Sequence, residues 1–94
     1  MFSTRVGEDG TIFLSGRLDA SQVDEADSVF ESVNGPAVVD MSTLDYISSA
    51  GISVLLRAHK RLSEQGQTLK FTNLSRRVRT VFQYAGLDTV LWVE

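Results

Sequence analysis

The spacing of apolar positions changes period several times along the chain, and each change marks an element. A short extended segment within Met1 to Val6 is followed by the turn-rich Gly7-Glu8-Asp9-Gly10 and then by Thr11-Ile12-Phe13-Leu14-Ser15, the pattern of a hairpin. Gly16 interrupts it. Asp19 and Ser21 are both N-cap candidates for a helix over about Ala20 to Val33. In that stretch Val23, Ala26, Val29, Phe30 and Val33 recur at helical spacing, with Asp24, Glu25, Asp27 and Glu31 between them. Asn34-Gly35-Pro36 then predicts its end, with a glycine C-cap and a proline that cannot continue a helix.

Ala37-Val38-Val39-Asp40-Met41 is too short for a helix and apolar enough for a buried central strand. A second helix starts near Ser49, with Ile52, Leu55, Leu56, His59 and Leu62 on its apolar stripe and Ser53, Arg57, Lys60 and Glu64 elsewhere. Gln65-Gly66-Gln67 ends it, and Thr68-Leu69-Lys70-Phe71 is the next strand. Asn73 or Ser75 caps a third helix with Val78, Val81, Phe82 and Ala85 inward, closed by Gly86. Thr89 to Val93 reads as a last strand. The order β-β-α-β-α-β-α-β predicts an α/β fold with a mixed sheet packed with helices. At 94 residues the chain is too short to divide a core, so residues 1–94 are expected to form one domain.

Composition narrows the function. The chain has no cysteine, which excludes disulfides and thiolate metal sites and fits a reducing cytosol. No apolar run is long enough to span a bilayer, and the opening MFSTRVGEDG has no apolar signal core, so a cytoplasmic protein without membrane insertion is expected. The formal charge of −3 is unevenly spread: Met1 to Ile47 hold nine acids and two bases, Ser48 to Glu94 three acids and seven bases. Two helices of opposite sign facing solvent explain this, and such a bipolar surface also suits a charged protein partner. Direct nucleic-acid binding is not expected, because the basic residues carry no groove-entering motif and the whole chain is acidic.

Catalysis finds little to work with. The one histidine, His59, lies mid-helix, ten residues beyond Ser49 and so about 15 Å along the axis. That separation excludes a Ser-His pair within the helix. A lone histidine without cysteine leaves only scattered carboxylates for a metal, and no glycine-rich phosphate loop is present. No catalytic residue, metal or cofactor is expected, and a binding module is.

The turn Ser42 to Gly51 stands apart, because it follows a central strand and opens a helix, where α/β folds place functional loops. From spacing alone, Ser48 or Ser49 is as well explained as an N-cap. Gly51, inside the first helical turn, costs helix propensity, which implies either a close approach to the backbone or tight packing.

At these residues the chain resembles STAS domains, specifically bacterial anti-sigma factor antagonists. The resemblance is carried by Val39-Asp40-Met41, Leu44-Asp45-Tyr46-Ile47, Ser48-Ser49-Ala50-Gly51 and Ile52-Ser53-Val54-Leu55-Leu56. It extends to Leu14-Ser15-Gly16-Arg17-Leu18-Asp19-Ala20, and to Ser75 through Phe82 with Ala85-Gly86-Leu87 after it. By position it implies that Ser49, two places before the glycine, is the phosphorylated serine. Ser48, which stands where the family often has aspartate, is the second choice. It implies a partner surface of Asp19, Ser21, Asp45, Tyr46, Ser48, Ser49, Ser53 and Arg57, with Tyr46 the candidate anchor. The implied partners are an anti-sigma factor that is also a GHKL-type serine kinase, and a PP2C-type phosphatase that resets the switch. A STAS subunit regulating a lipid-trafficking ABC transporter is the alternative within the same fold. A nucleotide-binding module using the helix N-terminus is disfavoured by the missing glycine-rich turn.

Overall fold

The computed structural model describes all 94 residues, Met1–Glu94. The strands are β1 (Phe2–Val6), β2 (Ile12–Leu18), β3 (Ala37–Ile47), β4 (Leu69–Thr72) and β5 (Trp92–Val93), and the helices are α1 (Val23–Glu31), α2 (Ser49–Glu64) and α3 (Arg76–Tyr84). They form one five-stranded sheet in the order β1-β2-β3-β4-β5. The β1–β2 hairpin is antiparallel and every other pairing is parallel. The mixed sheet and the order of its elements agree with the expectation from the apolar pattern.

The core is apolar throughout, with no buried polar or charged residue. Leu14, Leu18, Val39, Met41, Leu44 and Phe71 of the sheet meet Phe30, Leu55, Leu62, Val78 and Phe82 of the helices. The Phe71 and Phe82 rings pack edge to face at 6.3 Å, the arrangement favoured by the ring quadrupoles. A chemistry-bearing group therefore has to sit at the surface.

Several boundaries differ from the sequence expectation. The strand expected over Ala37 to Met41 runs on to Ile47, because its partner β2 also continues through Gly16 to Leu18. Pairing shifts between Phe13/Ser15 and between Gly16/Arg17, with Ile12 opposite Val39, Gly16 opposite Leu44 and Leu18 opposite Ile47. Two extra residues in β3 are thus accommodated as bulges, which displace the side chains that follow from strict alternation. Gly16 adopts φ +86, and a Cβ there would lie 1.7 Å from the Met1 carbonyl oxygen, so the position needs a glycine on both grounds.

The first helix opens as a 3-10 turn over Ala20–Gln22 and is α-helical only from Val23 to Glu31, rather than from Ala20 to Val33. Asp19 supplies the cap: its carboxylate accepts from the Ser21 N–H, and its own N–H donates to the Gln22 side chain. Gly35 has no left-handed cap role. Instead, Arg61 of α2 donates to the Phe30 and Val33 carbonyls, closing α1 from outside, a contact that local sequence cannot reveal. On α2 the buried stripe is Gly51, Val54, Leu55, Ala58 and Leu62. Ile52, Leu56 and His59 flank it, half-buried. Ala85 is exposed rather than inward. Gly86 at φ 70 leads into a 3-10 turn over Leu87–Thr89, which leaves only Trp92–Val93 as the last strand.

Candidate functional site

The parallel strands β2 and β3 end together at Leu18 and Ile47, so the connections Asp19–Gln22 and Ser48 gather there, while β4 stops at Thr72 opposite Asp40 and its connection Asn73–Ser75 runs along β3 towards the same end. Backbone bonds fix the arrangement. The Ser48 N–H donates to the Leu18 carbonyl at 2.9 Å, tying the start of α2 to the end of β2. The Ser75 hydroxyl donates to the Leu44 carbonyl at 3.0 Å and accepts from the Val78 N–H at 3.3 Å, tying the start of α3 to the bulged end of β3.

Ser48 and Ser49 have different environments. Ser48 is the N-cap of α2, in extended conformation, and its hydroxyl accepts from the Gly51 N–H at 3.3 Å. Ser49 is the first helical residue and is exposed, and its hydroxyl makes no hydrogen bond within the chain. Its carbonyl accepts from the Ser53 hydroxyl at 3.1 Å. The first turn of α2 carries no acidic residue, so no carboxylate of that turn opposes an anion on Ser49. The unpaired N–H groups and the helix dipole at that end favour one.

Gly51 owes its place to packing. A Cβ there would lie 2.8 Å from the Leu18 carbonyl oxygen, 2.8 Å from Ile47 Cγ1 and 2.9 Å from Leu18 Cγ. The helix start is therefore held against the ends of β2 and β3, and that closeness sets where Ser49 projects.

Of the expected contact residues, Asp19, Asp45, Tyr46, Ser48 and Ser49 come together at this edge. Asp45 is the residue left unpaired between Gly16–Leu44 and Arg17–Tyr46, and it is exposed. Tyr46 is half-buried, with the Arg17 guanidinium 4.2 Å above its ring. Ser21 is exposed on the turn that Asp19 caps. Ser53 lies one turn further along α2. Arg57 is two turns along, and its guanidinium is engaged with both carboxylate oxygens of Asp27 on α1, at 2.8 and 3.0 Å. That pairing fastens α1 to α2. Arg17 and Arg77, not singled out from the sequence, line a cleft with Asp45 and Ser75.

Asp40 steadies the neighbourhood from β3. Its two carboxylate oxygens accept from the Ser42 N–H and from the Asn73 side-chain amide, both at 2.9 Å. Asn73 has the left-handed φ of 58, so the bond holds a strained turn just before α3. Partial burial pushes the Asp40 carboxyl up, but hydrogen bonds from the Ser42 backbone and hydroxyl and from Asn73 outweigh it and hold it below its ordinary 3.8. A carboxyl depressed by folding stabilises above its unfolded pKa of about 3.9, and the contribution is lost as pH falls through the folded value. Asp40→Asn is therefore expected to lower stability at pH 7, by no more than about 1 kcal/mol for so exposed a group. The gap to the native chain should narrow below pH ~3.9. Urea midpoints at pH 7 and pH 3 measure this, and an equal gap at both would contradict it.

Comparison with known proteins agrees with this geometry. The family model described as "Mlab, STAS domain" matches residues 1–93. The anti-sigma-B factor antagonist of Listeria monocytogenes is 29% identical over 87 residues, covering 88% of this chain and 76% of that protein. An anti-sigma factor antagonist from Mycobacterium paratuberculosis superposes with a TM-score of 0.81 at 19% identity, over 99% of this chain and 85% of the other. The phosphorylated form of the Bacillus cell fate determinant SpoIIAA superposes at 0.70 and 19% identity, over 100% of this chain and 91% of that one. Together with the sheet, the helices and the strand-to-helix turn at Ser48-Ser49-Ala50-Gly51, these matches establish that the chain belongs to the STAS domain family.

Proposed function

We infer that this protein is an anti-sigma factor antagonist whose unphosphorylated form binds a kinase-type anti-sigma factor and so releases a sigma factor. Phosphorylation of Ser49 ends the complex. The observation that carries this is the division of labour between the two serines: Ser48 spends its hydroxyl on the helix cap, while Ser49 offers an exposed, unbonded hydroxyl at the same helix start. A phosphate there brings a charge of about −1.5 to −2 to a helix end that tolerates it. The domain itself then changes little, and the penalty falls on a partner pressed against the turn, through repulsion and desolvation of the new charge.

Support comes also from the relatives, which are named as anti-sigma factor antagonists, and from SpoIIAA, which is known in unphosphorylated and phosphorylated forms. This chain superposes on the two forms with TM-scores of 0.69 and 0.70, so both share its fold. The partner is a serine kinase of the GHKL type acting with ATP, and a PP2C-type phosphatase restores the hydroxyl. The domain contributes no catalytic group, and no helix is long and apolar enough to cross a membrane. A regulatory role on a lipid-trafficking ABC transporter is the second possibility, favoured by the Mlab description of the matching family model. It uses the same turn with a different partner.

The deciding experiment is displacement. The purified protein is added to a preformed complex of kinase-type anti-sigma factor and sigma factor, and free sigma factor is followed by size-exclusion chromatography. Release is expected; a complex that persists, together with binding to a transporter ATPase subunit, would favour the second role instead.

A further inference from the structure

The first turn of α3 runs against its own helix. The N-terminal end of a helix carries partial positive charge and favours acidic residues, yet α3 opens with Arg76 and Arg77 and has no acid in its first turn. No salt bridge within the chain compensates. The two salt bridges are Arg57–Asp27 and Lys70–Glu94, so neither arginine has an ionic partner. Local choices that oppose the fold without internal compensation are expected where a surface has another task.

Arg77 also lines a cleft of about 410 Å³ with Arg17, Asp45 and Ser75, and the lining includes no apolar residue. The bond from Ser75 to the Leu44 carbonyl and the pairing of Arg17 with Tyr46 bring the two arginines to the Asp45 bulge, where both line the cleft. Asp45 offsets one of the two positive charges and leaves the other uncompensated. Arg17 is held in place by its position over the Tyr46 ring. Stacking of that kind occupies the flat face of a guanidinium and leaves its in-plane N–H donors free for a carboxylate.

We propose that this cleft is a docking site for an acidic segment of the partner protein, with an Asp or Glu side chain seated between Arg17 and Arg77. The proposal rests on the partner-binding role inferred above and adds the chemistry the partner must present. Arg17 precedes Leu18, whose carbonyl holds the Ser48 N–H, so a segment in the cleft continues directly onto the Ser49 turn. A carboxylate there also supplies the negative charge that the first turn of α3 lacks.

The test is a calorimetric titration with the purified anti-sigma factor used in the displacement assay, at low and high salt, alongside thermal melts. Arg77→Glu is expected to weaken binding about tenfold or more and Arg77→Gln about threefold, the range for a charge at an interface edge. Native affinity should fall with salt, and that of the Arg17→Glu/Arg77→Glu variant much less. The melting temperature of Arg77→Glu should not drop, because an acid suits that helix turn; this separates lost docking from lost folding. Binding by the double variant within twofold of native would overturn the cleft while leaving the partner-binding role intact. No binding by the native chain would overturn both. A loss confined to ATP-loaded partner would place a nucleotide phosphate in the cleft and overturn the carboxylate assignment.

Discussion

Gly51→Ala is expected to destabilise the domain by about 1–2 kcal/mol, although alanine is the better helix former. The sign follows from two opposing magnitudes. Alanine gains about 0.8–1 kcal/mol over glycine inside a helix, while overpacking a well-filled site costs typically about 1–3 kcal/mol, of which the upper part, about 2–3 kcal/mol, applies where the atoms met are rigid. Here the new methyl would meet the Leu18 carbonyl oxygen and the Ile47 side chain at 2.8 Å. One neighbour is strand backbone and the other belongs to the core, so neither yields as the end of a flexible side chain would. For a domain of this size the loss corresponds to a fall in melting temperature of roughly 5–15 °C. Relief of the clash would push the start of α2 off β2 and strain the Ser48–Leu18 bond, so partner binding should decline with stability. A melting temperature equal to or above native would contradict the packing account of this glycine.

Ser49→Asp is expected to weaken anti-sigma factor binding by about a hundredfold or more, near 3 kcal/mol, while Ser49→Ala stays within a few-fold of native. The carboxylate brings about half the charge of a phosphate, so the phosphorylated chain should bind more weakly still. An aspartate in the first turn of α2 also suits the dipole, by about 0.3–1 kcal/mol. Its melting temperature should therefore hold or rise, and an effect on binding then reports charge at the interface and not damage to the fold. Equal affinity for the two variants would remove the electrostatic basis of the switch.

Much of this was legible in the sequence, and the exceptions have physical causes. Periodicity and caps located each helix and strand, because apolar spacing follows directly from which side is buried. The length of β3 was missed because its inward residues Val39, Met41, Leu44 and Ile47 step by two, then three, then three. Each step of three marks a bulge, so the signal was present in a form that neither strand nor helix templates match. The end of α1 was misplaced because its cap is Arg61, from another helix. The choice between Ser48 and Ser49 was open, since either hydroxyl can cap a helix. Only the backbone geometry assigns the cap to Ser48 and leaves Ser49 exposed. The clasp between Arg57 and Asp27 on α1 could not be read from either helix alone, and it leaves the Arg57 side chain 54% exposed. Arg17 and Arg77 escaped notice because no local pattern joins them; the Ser75–Leu44 bond and the β2–β3 register do.

Whether Ser49 is the switch residue is decided by phosphosite mapping. The native protein is incubated with its kinase-type anti-sigma factor and ATP, and the modified residue is located by fragment-ion mass spectrometry while complex formation is followed in parallel. A single phosphate on Ser49, appearing as the complex is lost, is the predicted result. Phosphate on Ser48 alone, or none from a kinase that binds the chain, would contradict it.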